Sequence, residues 1–435
     1  MRVFIRFLVI ISCCFAVGCG GGSGNTEQSN GYTNGGSIAK SPLARDTSPL
    51  VTDTELASLV SANTAFALKL FPLLDSTADN NTFFSPYSIT QAFALLAPGA
   101  RGATLSEIEQ IIFWSLPQVS RDVAFNKLDL LLAAKTTGAT LPNGLQAPKL
   151  NNANAVWGQK DFSIQPAYLD TLAVNYGAGL HLVDFISATE SSRQTINSWV
   201  EGETNNRIQE LIPQGGVTGA TRLVLSNAIW FKGNWSSRFS TYNTKNQAFT
   251  NRDGSTTSIP FMRQQFSVPY VRTSGCQAVD IPYAGDNLSM LVIMPDSGTF
   301  DTFLTSLTPV ALADITAQLS NKMVDFSMPK FSFTTATNVD PILRSLGMND
   351  TFSPGLADFS GIDGNRDLFV AAVFHKAFIA VDEEGTEAAA ATAIGVGITS
   401  IPVINLTLNI DHPFVFLIRD RQTGLILFMG KVVLL

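Results

Sequence analysis

HKAFIAVDEEGTEAAAATAIGVGITSIP, residues His375 to Pro402, changes character three times along its length. It opens like a buried strand, Ala377-Phe-Ile-Ala-Val381, then passes through Asp382, Glu383 and Glu384 to Gly385. Next come Thr386, Glu387, the small residues Ala388, Ala389, Ala390 and Ala391, then Thr392 and Ala393. Gly395, Gly397, Thr399, Ser400 and Pro402 close it with loop composition. Two readings compete. Glu387 and four alanines favour a short helix, which Thr386 would cap. Alternatively the run is not helical, and its small side chains answer a demand made elsewhere in the chain.

Moving outward, the 435 residues are 45% hydrophobic and 14% charged, well below the roughly 25% charge of ordinary soluble domains. Thirty Phe supply bulk for a large core. A net charge of −7, with no run of Lys and Arg in the sequence, argues against nucleic acid as a partner.

The N-terminus has the pattern of a targeting segment: Arg2 and Arg6, then an apolar run from Phe7 to Val17 too short for a stable membrane span. Ala16-Val17-Gly18-Cys19 resembles a bacterial lipobox, with Cys19 as the lipidated first residue of the mature chain. Ala16 stands where that motif more often has Leu, and an ordinary secretory peptide is the alternative. Residues 1–18 are therefore read as a lipoprotein-type signal peptide. Residues 19–51, rich in Gly, Ser, Asn and Thr, are read as a flexible tether, and 52–435 as one domain. Cys13 and Cys14 fall in the removed segment. Cys276 is alone in the body, so no internal disulfide is available there.

The folded part begins with the capping box Thr52-x-x-Glu55 and apolar residues at helical spacing, Leu56, Leu59, Val60, Phe66 and Leu70. Asn81 to Ser88 reads as a short strand ending at Pro86. The boxes Ser88-x-x-Gln91 and Thr104-x-x-Glu107 predict two further helix starts. Strand-like runs dominate later, at 222–231, 288–294, 368–381, 414–418 and 425–434, the last two joined by the turn Asp420-Arg-Gln-Thr-Gly424. Helices early and strands late predict an α+β fold.

Catalytic templates are absent. The sequence has no G-x-S-x-G, H-E-x-x-H, C-x-x-C or G-x-x-x-x-G-K motif. Its three histidines, His181, His375 and His412, sit in apolar or strand-edge contexts without a recognisable nucleophile. No enzyme activity, metal or cofactor is expected.

Several stretches together resemble one family, the serpins. They are Asn81-Thr-Phe-Phe-Ser-Pro-Tyr-Ser88, Leu225-Ser-Asn-Ala-Ile-Trp-Phe-Lys-Gly-Asn-Trp235, Met328-Pro-Lys-Phe331, His375-Lys-Ala, Glu383-Glu-Gly-Thr-Glu-Ala-Ala-Ala-Ala-Thr392, His412-Pro-Phe-Val-Phe416 and Phe428-Met-Gly-Lys431. The resemblance implies three β-sheets, about nine helices and an exposed reactive loop near the C-terminus. A protease cuts the loop as substrate, and the loop then inserts into the large sheet as a new strand. An inserting strand alternates its faces. Thr386, Ala388, Ala390 and Thr392 would then face the core, and Glu387, Ala389, Ala391 and Ala393 outward. The inward set holds no charge, which would be costly to bury, and Gly385 gives the hinge backbone freedom. An inhibitory member is expected.

By the same resemblance, Ser85, Ser88, Asn227 and His375 match the polar cluster beneath the point where the sheet opens. Trp235, Lys330 and Glu383 match the place where the loop first enters, the last two as an ion pair. The family's hinge-to-bond spacing puts the cleaved bond at Thr399–Ser400. The 28 positions from Gly385 to Pro413 exceed that pattern by a few, leaving Ile398 as an alternative.

Independently of register, no Lys or Arg lies between Lys376 and Arg419, and no aromatic residue between Phe378 and Phe414. Trypsin-like and chymotrypsin-like enzymes need one or the other. The expected partner is an elastase-like or subtilisin-like serine protease, with a cysteine protease as the alternative. A non-inhibitory surface binding protein is the rival reading. The protein is expected to be a monomer, exported and lipid-anchored to a bacterial cell envelope or surface, or extracellular.

Overall fold

A computed structural model describes residues 36–74, 80–387 and 406–435. Cys19, Ala388 to Thr392, Ile398, Thr399 and Ser400 lie outside the described residues.

Among the described residues, six α-helices precede residue 204: α1 (Asp53–Leu70), α2 (Pro86–Leu96), α3 (Gly102–Ile111), α4 (Gln118–Lys135), α5 (Pro166–Tyr176) and α6 (Thr189–Glu203). Four short ones follow: α7 (Phe300–Ser306), α8 (Pro309–Ala317), α9 (Asp340–Ser345) and α10 (Ser360–Asp363). Thr52 caps α1 with both halves of the box formed. The other two boxes are shifted. The cap of α2 is Ser85, whose hydroxyl accepts from Ser88 N–H, because Pro86 has no N–H to satisfy and is suited to the first helical position. Helix α3 starts at Gly102, two residues before Thr104. Thr104 and Glu107 instead accept backbone N–H groups of Asp358 and of Asp350 and Thr351, fastening that loop to the helix.

The strands form two hydrogen-bonded sheets among the described residues. The first contains β1 (Ser37–Ala39), β3 (Lys149–Gln159), β4 (Leu180–Val183), β5 (Leu223–Asn234), β11 (Phe331–Asn338), β12 (Val370–Val381) and β13 (Gly385–Thr386), in the order β1-β4-β3-β5-β13-β12-β11. The second contains β2 (Thr82–Phe84), β6 (Lys245–Thr250), β7 (Thr256–Arg272), β8 (Cys276–Pro282), β9 (Leu288–Pro295), β10 (Ser320–Pro329), β14 (Thr407–Asn409), β15 (Phe414–Asp420) and β16 (Ile426–Val432). Its two lobes are joined in the strand ladder where the end of β7, Tyr270 to Arg272, pairs with β8. The second and third sheets expected from the sequence are thus continuous through one long strand.

Strand β5 is buried along almost its whole length because both faces of its sheet are covered. Val224, Ala228, Ala372 and Phe374 pack with Ile196 and Val200 of α6 on the outer face. Ile229, Phe231, Ala377 and Ile379 meet Phe416 and Phe428 of the second sheet on the inner face. Asn227 and His375 share the parity of this inner set, which aims them at the start of α2.

Residues 36–49 depart from the tether reading. Ser37 to Ala39 pair antiparallel with β4 and close that edge of the sheet. Beyond them, Ser41 donates to Asp170 at 2.5 Å, and Arg45 pairs with Asp129 at 2.7 Å while donating to Asn126. The composition that suggested flexibility offers short polar side chains, and here they bind the body.

Candidate functional site

Two polar constellations lie along the seam between β5 and β12. In its lower part the two strands pair directly and in parallel, from Val370 against Leu223 to Ala377 against Ile229. At its upper end β13 sits between them, antiparallel to both, with Gly385 opposite Asn234 and Thr386 opposite Gly233 and Val381.

The lower constellation gathers Ser85, Ser88, Asn227 and His375, all buried. Ser85 N–H donates to His375 Nε2 at 3.2 Å, so the other ring nitrogen carries the proton it gives to Asn227 Oδ1. Asn227 Nδ2 donates to Ser88 Oγ and Asn154 Oδ1, both at 2.6 Å. Ser88 Oγ in turn donates to Asn154 Oδ1 at 2.9 Å, and Ser85 Oγ to the Leu427 carbonyl at 2.6 Å. Burial pushes the His375 pKa down to about 3, so the whole network is neutral. Sequence reasoning missed Gln91, Asn152 and Asn154. The signal was the alternation Asn152, Ala153, Asn154, Ala155, which puts two amides on one face of a strand, where they need partners.

The upper constellation is charged. Lys330 Nζ donates to Glu383 Oε2 at 2.6 Å, and Thr244 Oγ1 to Glu383 Oε1 at 2.7 Å. Burial opposes ionisation of Glu383, but these two donors prevail and hold its carboxyl below the ordinary range. Trp235 stacks on Tyr283 and donates its indole N–H to the Asp382 carbonyl at 2.9 Å. Trp235 N–H also reaches the Glu384 carbonyl at 2.9 Å, and Arg238 Nη1 meets the Glu384 carboxylate at 3.0 Å. The expected Lys330–Glu383 pair and Trp235 are therefore together. Tyr283, Thr244, Arg238 and Arg207 join them without any local signal in the sequence.

Within the hinge, Gly385 runs so close to β5 that a Cβ would overlap the Gly233 carbonyl oxygen. Thr386 is 1% exposed, and its hydroxyl lies 2.6 Å from that of Tyr283. Glu387 turns to the other face at φ 52° and forms an ion pair with Arg207. Burial raises its pKa to about 7 against the attraction of Arg207 and Lys232. Thr386 faces the inner side of the sheet, whereas Glu387 leaves the extended conformation at a positive φ and its carboxylate is largely buried against Arg207.

The remaining candidates are structural. His181 packs between Trp157 and Trp199. His412 bridges Asp411 and the Pro295 carbonyl. The Cys276 thiol is buried, which raises its pKa, and it lies beside the Thr273 hydroxyl.

A family model described as "Serpin (serine protease inhibitor)" matches residues 61–434. Leukocyte elastase inhibitor A of Mus musculus is 35% identical over 388 residues, covering 87% of this chain and 99% of its own. A serpin-like protein of Thermococcus kodakarensis is 35% identical over 429 residues, covering 98% and 97%. Among solved structures, the thermophilic serpin tengpin in its native state superposes with a TM-score of 0.79 at 26% identity, over 92% of this chain and all of that one.

Proposed function

The chain belongs to the serpin family, and on that footing we propose that it is an inhibitory member that traps a serine protease as a covalent acyl-enzyme. The observation that carries this reading is the seat of β13. Two residues of the hinge already occupy the position, between two parallel strands, that a full inserted strand would take. Extending that strand downward exchanges a parallel β5–β12 pairing for two antiparallel ones, the more stable arrangement per residue.

In this mechanism the protease serine attacks the Thr399 carbonyl carbon and the peptide bond to Ser400 breaks. The new amine leaves with the proton delivered by the protease's histidine, and the Thr399 acyl group stays esterified to the serine. Insertion of 387–398 then carries the protease away before water reaches the ester. The inward residues Ala388, Ala390 and Thr392 are small enough to pass Tyr283 and the neutral network below. Thr399, with Ile398 as the alternative, suits an elastase-like or subtilisin-like enzyme. The elastase inhibition named for the mouse relative supports the first class. Cys19 would anchor the mature chain by a lipid on the outside of a bacterial envelope, where such proteases act.

Incubation with an elastase should yield a complex that survives detergent and a released peptide beginning at Ser400. Rapid cleavage with no complex would sink the proposal. Labelled palmitate incorporated by the wild type and lost in Cys19→Ser tests the anchor.

A further inference from the structure

The sequence contains no run of Lys and Arg, yet the fold gathers them. Arg238 and Asn243, from the connection between β5 and β6, meet Lys245 of β6 and Arg263, Gln264 and Gln265 of β7 around a solvent-open cavity of about 570 Å³. Every side chain lining it carries a hydrogen-bond donor, and none carries a carboxylate. Arg263 is held from behind by Asp325, whereas Lys245 is exposed. Arg238 Nε and Gln264 Oε1 are buried without a partner. The Gln264 amide nitrogen is hydrogen-bonded to the Ser237 hydroxyl. Turning that amide lets Ser237 donate to the oxygen and gives the nitrogen to the cavity.

Such a wall fits an anion. Three cations converge from two strands and a loop, and guanidinium donors match the tetrahedral oxygens of phosphate or sulfate. The width of the cavity exceeds the needs of one such group. Arg238 has a second task, since it also holds Glu384 in the turn before Gly385.

We propose that this cavity binds a small anion carrying two or more phosphate or sulfate groups, and that binding loosens the Arg238–Glu384 tie at the hinge. Because the two events share one guanidinium, each weakens the other by the same factor. The inference is independent of protease inhibition, since the site can be occupied whether or not the loop inserts.

The test is calorimetric titration of the full chain with inorganic tripolyphosphate, with sodium chloride added to hold ionic strength constant so that general screening is matched. One saturable site is expected, at least tenfold tighter than for monophosphate. Arg238→Gln should weaken it at least tenfold, about 1.4 kcal/mol. The exposed change Lys245→Gln should weaken it several-fold, and it keeps the test valid should the first variant fold poorly. Glu384→Gln should strengthen binding, because it frees Arg238. A sulfated disaccharide titrated in parallel identifies the source by which of the two binds more tightly. Heats indistinguishable from dilution, or binding unchanged in both cation variants, would overturn the site. An unchanged affinity in Glu384→Gln would overturn its coupling to the hinge.

Discussion

Asn227 and Asn234 lie on the same strand, yet the two stretches of seam beside them are built on opposite principles. Around Asn227 every partner is an amide, a hydroxyl or a neutral imidazole, and the strands touch. Around Asn234 there are three successive acids, their cations and a wedge of two residues, and the strands are apart. The contrast shows how a sheet can be receptive without being open. Charged groups gather at the upper end, where the proposed mechanism requires a hinge to move. A buried neutral network below can part and reform without stranding a charge in low dielectric, the costliest event available to it.

The sharpest way to break the contrast is to put a charge on the moving strand's inward face. Thr386→Arg places a guanidinium against Tyr283 with no acid to meet it. Trapping should be lost entirely while cleavage continues, as read from detergent-stable complex against cleaved chain.

Opening a hole in the neutral network comes next. Asn227→Ala leaves the buried His375 Nδ1 proton without its acceptor, and should lower stability by about 2–3 kcal/mol in a denaturant titration. His375 itself has a folded pKa depressed from 6.5 to about 3. Its contribution is fully present above about pH 6.5 and is lost progressively as pH falls toward 3. His375→Asn should flatten that part of the stability profile relative to the wild type.

Glu387 should give a smaller effect of its own sign. Its pKa when docked, about 7, lies above the ordinary 4.5. Docking of the hinge is therefore favoured below about pH 4.5 and weakens as pH rises through 7. The fluorescence of Trp235, which is hydrogen-bonded to the Asp382 carbonyl, should follow this change, and Glu387→Gln should remove it.

Lys330→Met leaves the buried Glu383 with the Thr244 hydroxyl as its remaining side-chain donor, and should cost about 1–2 kcal/mol. The smallest effect, about 0.5 kcal/mol in thermal melts, is expected for Arg45→Ala, whose partner Asp129 touches the lower constellation through Gln91 at 3.4 Å.

The sequence made much of this legible because function here constrains local chemistry. The Lys330–Glu383 pair and the four-residue neutral cluster both lie in contiguous motifs. What stayed hidden is assembled across the chain. Tyr283, Arg238 and Arg207 reach the hinge from three different connections, and nothing in their immediate neighbours distinguishes them from ordinary surface or core residues. The caps of α2 and α3 were misplaced because a box of the right spacing recurs by chance. Pro86 decided the first, and the needs of the 350–358 loop recruited the second. Residues 36–49 were read from composition, and composition does not register that Arg45 has Asp129 waiting.

That short N-terminal strand bears on how copies of this protein behave when crowded together. If the proposed mechanism holds and the sheet admits a strand through its middle, an inviting rim would be a hazard, since an exposed row of unpaired amides recruits neighbouring molecules. Ser37 to Ala39 occupy one rim. The other, β11, alternates buried or half-buried positions with exposed Ser, Thr, Ala and Asn. With that border reduced to a three-residue strand, self-association at that side is disfavoured, and in the proposed mechanism the interior seam is the place where a new strand enters.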